Sequence, residues 1–133
     1  MFRQLIKPVS AHCDVPCGIY ETDTMKHAAD TCLKMTEKIL ALGEMTDNIK
    51  RNDLIRMVNT KEKHASKAKR ELYILWSDYF KSEHLQLFPD LHEVFWQAAK
   101  QCSKVKQTVS IEECHKLIEQ IAKVDEMFVA SKK

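Results

Sequence analysis

Apolar side chains recur at three- and four-residue steps through most of the chain, the period of a helix that buries one face. Met25, Ala28, Ala29, Cys32, Met35, Ile39 and Leu42 form the first such stripe. Thr22, Asp23 and Thr24 offer N-cap oxygens ahead of it, and Gly43 follows it as a natural C′ residue. A second stripe runs through Val58, Ala65, Ala68, Leu72, Leu75 and Tyr79, behind a cap at Thr46 or Asp47. It leaves Lys61, Glu62, Lys63, Lys67 and Lys69 outside. That helix is long, and Asn52 and Asn59 are the positions where it could break. From Phe80 to Phe88 the helical period is lost. Pro89 then suits the first position of a shorter third helix, whose stripe is Leu91, Val94, Phe95, Ala98, Cys102 and Val105. Ser110 with Glu113 has the capping-box pattern ahead of Cys114, Leu117, Ile118, Ile121, Val124 and Phe128. Four amphipathic helices with short connections predict an all-α protein, an up-down four-helix bundle over residues 22–130.

Composition agrees. A chain of 133 residues buries a core without staples, and two glycines and three prolines leave few turns. Lys and Arg outnumber Asp and Glu by 21 to 19, interleaved along the chain, which gives a nucleic-acid or membrane partner no electrostatic footprint. The excess sits in Met1–Ala11, where Arg3 and Lys7 face no acid; without them 19 basic residues balance 19 acidic ones. Five cysteines at irregular spacings suit reduced thiols in the cytoplasm better than a secreted disulfide framework. Lys7 and Pro8 break the apolar residues of the N-terminus, so no secretory h-region fits there, and no run is long enough for a transmembrane helix.

The chemically informative stretch is His12-Cys13-Asp14-Val15-Pro16-Cys17-Gly18-Ile19-Tyr20, ahead of the first helix. Pro16 disfavours helical backbone at Val15, and Gly18 permits a left-handed turn, so the two thiols can fold back toward one ion. If a peptidase cuts after Ala11, His12 offers an α-amine and an imidazole, Cys13 an amide nitrogen and a thiolate, and Cys17 a second thiolate. Two nitrogens and two sulfurs make a square plane with the imidazole axial. Such a set suits Ni(II), whereas zinc prefers a closed tetrahedron. Thiolate and amide donors stabilise the oxidised ion and bring Ni(III)/Ni(II) cycling within reach, at the risk of oxidising the thiolates themselves.

At these residues the chain resembles the nickel superoxide dismutase family, whose N-terminal pattern His-Cys-Asp-x-Pro-Cys-Gly-x-Tyr is matched from His12 through Tyr20. A second block, Leu75-Trp76-Ser77-Asp78-Tyr79-Phe80-Lys81 with His84 and Phe88-Pro89-Asp90-Leu91-His92, also looks like the family, so the resemblance covers nearly all of the chain after Ala11. It implies a superoxide dismutase with one nickel ion per subunit, in which His12 binds through amine and axial imidazole, Cys13 through amide and thiolate, and Cys17 through thiolate. It implies further that Tyr20 lies at the substrate opening, that Asp14 braces the hook, and that Asp78 and Tyr79 stand just behind the ligands. The family is a cytoplasmic homohexamer made with an N-terminal extension that a maturation peptidase removes. Residues 1–11 are thus expected to be a propeptide and 12–133 the enzyme domain, with the hook at 12–20. The chain departs from the family at the Glu and Arg that hold the axial imidazole, since Ala28 and His64 occupy those positions. His64 is then a candidate to orient the ring.

Plainer readings compete. For an arbitrary His-Cys-x-x-x-Cys, a zinc clip or a redox disulfide comes first, and the nine-residue match is what favours nickel. Cys32, Cys102 and Cys114 lie on apolar faces as small core residues. His27 and His115 read as solvated, His84 and His92 as capping or interface groups, and Trp76 and Trp96 as packing or interface anchors. Lys81 is either a surface lysine or a charge that attracts an anionic substrate. A nickel or copper carrier and a purely structural helical module are the alternative functions.

Overall fold

The computed structural model describes residues 18–133. Helix α1 spans Asp23–Ala41, α2 Asn48–Ile74, α3 Leu91–Gln107 and α4 Ile111–Ser131, and no strand occurs among the described residues. Each helix packs on the next and α1 packs on α4, which closes an up-down bundle. Chain direction therefore brings the start of α1, the end of α2, the start of α3 and the end of α4 to one end of the bundle.

The caps follow local chemistry. Asp47 accepts from Lys50 N at 2.8 Å and starts α2, and Ser110 accepts from Glu113 N at 3.2 Å and starts α4. The Glu113 carboxylate lies 3.2 Å from Lys116 Nζ and 3.9 Å from Lys104 Nζ. Gly43 takes φ +67° just past the end of α1. Helix α2 runs unbroken through Asn52 and Asn59 and then widens into a π-helical turn at Leu75–Tyr79, closed by Phe80 N–H to Leu75 O at 3.2 Å. A 3-10 turn, Ser82–Leu85, follows. Helix α3 starts at Leu91 with Asp90 as its N-cap residue, so Pro89 lies in the preceding turn rather than at the first helical position.

The core is the one the stripes predict, with Met25, Ala28, Cys32, Ala65, Ala68, Leu72, Leu91, Phe95, Cys102, Leu117 and Val124 all buried. Ala28 and Ala29 on α1, with Ala65 and Ala68 on α2, are small enough for the two backbones to approach closely. One expectation fails: Lys61, placed outside by its charge, is 2% exposed. Its ammonium points at the end of α3, donating to Val105 O at 2.6 Å, Lys106 O at 3.2 Å and Thr108 O at 2.5 Å. Three N–H groups meet three carbonyls that α3 leaves without intrahelical partners, and the positive charge faces the negative end of the helix dipole. Sequence periodicity registers the charge of Lys61 and not this partner.

The three helix cysteines are fully buried, as expected of core residues. Cys32 Sγ lies 3.6 Å from Lys61 O. Thr36 Oγ1 donates to Cys32 O at 2.8 Å and is 3.3 Å from Cys114 Sγ, so the Cys114 thiol is the donor of that second contact. Burial pushes the thiols of Cys32 and Cys102 up to about 12 and raises that of Cys114.

Two predictions follow from this interior. Lys61→Met leaves the α3 carbonyls unpartnered and is expected to cost about 2–4 kcal/mol in urea unfolding, against within about 0.5 for the exposed Lys63→Met; equal midpoints for the two would refute the capping role. A thiol whose pKa is raised from 9.0 unfolded to about 12 folded stabilises the fold fully below pH 9 and loses that contribution as pH climbs toward 12. Replacing Cys32 and Cys102 together by Ala should accordingly flatten the fall in stability over that window, measured against the parent chain at each pH.

Candidate metal centre

Tyr20, Asp78, Tyr79 and Lys81 gather at the end of the bundle where the chain enters α1. His12, Cys13, Asp14 and Cys17 lie outside the described residues. The description opens at Gly18, whose φ of +73° is the left-handed turn its sequence position suggests, with open space where a side chain would stand. Two residues on, the ring of Tyr20 packs against that of Tyr79 with centroids 5.4 Å apart.

Tyr79 is placed by the π-helical turn that ends α2. Such turns add a residue to the helical repeat and redirect the side chains that follow. Its ring meets Phe80 and Phe128 edge-on, each at 4.9 Å, and stacks on His84 at 5.9 Å with planes 13° apart. The phenol lies 2.7 Å from Ser131 Oγ, and that hydroxyl donates to Phe128 O at 2.6 Å. Ser131 has one proton and spends it on Phe128, so Tyr79 is the donor and its own oxygen keeps acceptor capacity toward the mouth.

Asp78 is half-buried on the same turn. Ser77 Oγ lies 3.1 Å from its Oδ1, while its Oδ2 is buried with no hydrogen-bond partner among the described residues. A buried carboxylate oxygen without a donor is costly, and it marks a place where an N–H or O–H of an incoming segment would bind. Lys81 is exposed at the rim, two residues past Tyr79. Its backbone N–H donates to His84 Nδ1 at 2.9 Å, which puts the proton of the neutral His84 ring on Nε2. His84 thus has the capping role expected of it and, beyond that expectation, forms one wall of the tyrosine cluster. His92 accepts from Trp76 Nε1 at 2.9 Å and takes no part in the cluster.

His64 stands apart. It sits fifteen residues before Tyr79 on the same helix, roughly 22 Å at 1.5 Å per residue, with Nδ1 2.9 Å from Thr60 O. Ala28, at the other position where the chain departs from the family, is buried in the core. The structure therefore gathers Tyr20, Tyr79 and His84 with Asp78 and Lys81 beside them, and keeps His64 of the same subunit away.

A shallow groove of about 190 Å³ opens between α2 and α3, lined by Tyr73, Trp76, Phe95 and Trp96 with Lys69 and Lys100 at its edge. Lys100 Nζ lies 4.5 Å from the centre of the Trp96 ring. The groove has no carboxylate or thiol and reads as a packing surface, consistent with Trp76 and Trp96 as anchors. Among the described residues no three His, Cys, Asp or Glu side chains come together to hold an ion. The donor set that fits a metal here is the one the sequence carries ahead of Gly18: two thiols, an imidazole and backbone nitrogen within six residues.

Ser131 and His84 escape sequence reasoning for different reasons. His84 is visible in the block after Tyr79, but its stacking depends on the turn that brings it back. Ser131 has no signal at all, because its contact with Tyr79 spans 52 residues of sequence.

Comparison with known proteins agrees with this arrangement. The sequence model of the family described as nickel-containing superoxide dismutase matches residues 7–132. The nickel superoxide dismutase of Streptomyces seoulensis is 35% identical over all of this chain and 99% of its own length, and that of Streptomyces coelicolor is 33% identical over the same shares. A crystal structure of a nickel-containing superoxide dismutase after partial X-ray-induced reduction superposes with a TM-score of 0.83 at 33% identity, covering 91% of this chain and 98% of that one. The native 1.30 Å structure of a nickel superoxide dismutase superposes with a TM-score of 0.81 at 32% identity, covering 92% and 100%. With its four-helix bundle, its tyrosine-lined mouth and these relatives along its whole length, the chain belongs to the nickel-containing superoxide dismutase family, oxidoreductases that use nickel to disproportionate superoxide.

Proposed function

We propose that the chain carries out this reaction at a single nickel ion held by His12, Cys13 and Cys17, after residues 1–11 have been removed by a maturation peptidase. The observation that carries the reading is the Tyr20–Tyr79 pair, 5.4 Å apart at the mouth of the bundle and directly behind the left-handed turn at Gly18. A hook that ends at this turn delivers its ligands beside those rings. When bound, nickel supplies one-electron cycling between Ni(III) and Ni(II): one superoxide is oxidised to dioxygen, and a second is reduced to peroxide, which takes up two protons.

The protein's own groups do the rest. Nickel would be held by the thiolates of Cys13 and Cys17, the free α-amine of His12 and the amide nitrogen of Cys13. The His12 imidazole would be a further donor that favours the oxidised ion. Asp14 braces the hook from within. Asp78 offers its unpartnered Oδ2 to a hook N–H. Tyr20 and Tyr79 narrow the opening and order the approach of a small anion, with Tyr79 held in place by Ser131. Lys81 at the rim adds the positive charge that draws superoxide in. His64 or a water is the candidate to orient the His12 ring. The chain is expected to assemble as a cytoplasmic homohexamer.

Three experiments test the reading. Protein from its own host should show, by intact mass and N-terminal sequencing, an active form that begins at His12; active enzyme that retains Met1 would overturn the amine ligand. In that processed protein, Cys13→Ser or Cys17→Ser should abolish both nickel retention and turnover, while Cys102→Ala keeps both and costs only about 1 kcal/mol of packing. His12→Gln separates holding from tuning. It should keep nickel yet lose the axial-nitrogen signature in its paramagnetic resonance spectrum together with most turnover, and an unchanged spectrum with full activity would remove the axial role.

A further inference from the structure

We propose that Thr22, through its hydrogen bond to Asp125, is a positioning residue for the metal hook, fixing the direction in which the chain leaves the bundle toward Cys17. This rests on the reading of the hook given above. Thr22 occupies the N-cap position of α1, where a threonine hydroxyl ordinarily accepts from a first-turn amide. It makes no such bond. Its Oγ1 donates to Asp125 Oδ1 on α4 at 2.5 Å, across 103 residues of sequence. The amide it would have capped is served by Glu21, whose Oε2 accepts from Thr24 N at 2.8 Å.

Helix α1 thus has its cap from another residue, and the Thr22 bond is free to tie the root of the hook across the bundle. Thr22 is 5% exposed, so water does not compete for the bond. The second oxygen of Asp125 lies 3.3 Å from Lys26 Nζ, one turn further along α1, so α1 and α4 are joined twice at this level. Hydrogen bonding to Asp125 also raises the pKa of Lys26. Beyond the bond of the Glu21 carboxylate to α1 itself, the root meets other elements through the Tyr20 ring on Tyr79 and, two residues on, the Thr22 hydroxyl on Asp125. Contacts at two positions define a direction more closely than contact at one. Ligand geometry tolerates about 0.5 Å of error, and a misplacement of about 1 Å can cost about a hundredfold in rate.

Thr22→Val keeps the shape and removes the donor, while Thr22→Ser keeps the donor. In metal-free protein, amide hydrogen exchange over residues 19–24 should quicken about tenfold in Thr22→Val, stay unchanged in α2 and α3, and return to the parent rate in Thr22→Ser. In nickel-loaded protein, Thr22→Val should keep its nickel and its fold, lose about tenfold in kcat/KM and broaden its paramagnetic resonance signal, with Thr22→Ser restoring both. Parent-like exchange at the root overturns the proposal, and so does an activity loss that only tracks lost nickel or lost folded protein. If Thr22→Val does not fold, Thr22→Ala against Thr22→Ser carries the same comparison. Parent protein without nickel or turnover would instead sink the hook reading, an outcome separate from the exchange result in the metal-free chain.

Discussion

The ring of Tyr79 is where the mouth of the bundle is held together. It takes an edge from Phe128 of α4 and one from Phe80 behind it, a stacked His84 from the 3-10 turn and a tilted Tyr20 from the entering chain. Its hydroxyl reaches the last residue of α4. An aromatic side chain with a polar tip is suited to this, since it packs on all sides and still fixes its orientation through one hydrogen bond. These contacts tie the end of α2 to α4, to the 3-10 turn and to the entering chain. A small diatomic anion gives an enzyme few contacts by which to orient it, and an opening of fixed width is one means left.

Tyr79 reaches that place because α2 does not end as a regular helix. The π-helical turn at Leu75–Tyr79 inserts a residue into the repeat while keeping Leu75 in the core. Asp78 is carried with it, with one oxygen buried and lacking a partner among the described residues. Both features cost stability locally, and the extensive packing of α1 on α2 through Ala28, Ala29, Ala65 and Ala68 offsets that cost elsewhere. A π-helical turn on a well-packed helix is a common way to build a site, because the body of the helix supplies what its end gives up.

Much of this was legible in the residues. The four stripes predict the helices and nearly all of the core, since a period of three to four apolar residues has few solutions other than a buried face. Asp47 and Ser110 act as the caps their positions suggest, and Gly18 and Gly43 take the left-handed turns. What could not be read depends on partners distant in sequence. Lys61 looks like a solvated lysine until the end of α3 supplies three carbonyls for it. Thr22 looks like a side-chain N-cap until Asp125 is seen to accept the hydrogen bond of its hydroxyl. The π-helical turn has no signal because it shifts the period by one residue at the very end of a stripe. At the site, Tyr20, Asp78, Tyr79 and Lys81 were named through family resemblance, and periodicity alone would have left Tyr79 a core residue. His64 lies fifteen residues before Tyr79 and outside the tyrosine cluster, and its expected partner His12 lies outside the described residues.

The cysteines divide by the same physics that divides the molecule. Cys32, Cys102 and Cys114 are enclosed by the bundle, and the loss of hydration raises their thiols far enough that the reactive anion is scarce near neutral pH. Peroxide oxidises thiolates, so an enzyme that releases peroxide keeps such thiols safe by denying them charge. A metal ligand requires the opposite, since a sulfur must be deprotonated to bind. Cys13 and Cys17 precede the first helix in sequence and belong to none of the apolar stripes. Coordination would then protect them in place of burial, because a thiolate whose electrons are shared with a metal is a weaker target than a free one. One chain can thus hold both kinds of cysteine without exchange between them, provided the hook is kept at the mouth and out of the core. On the proposed reading, the contacts at Tyr20 and Thr22 would hold its root there.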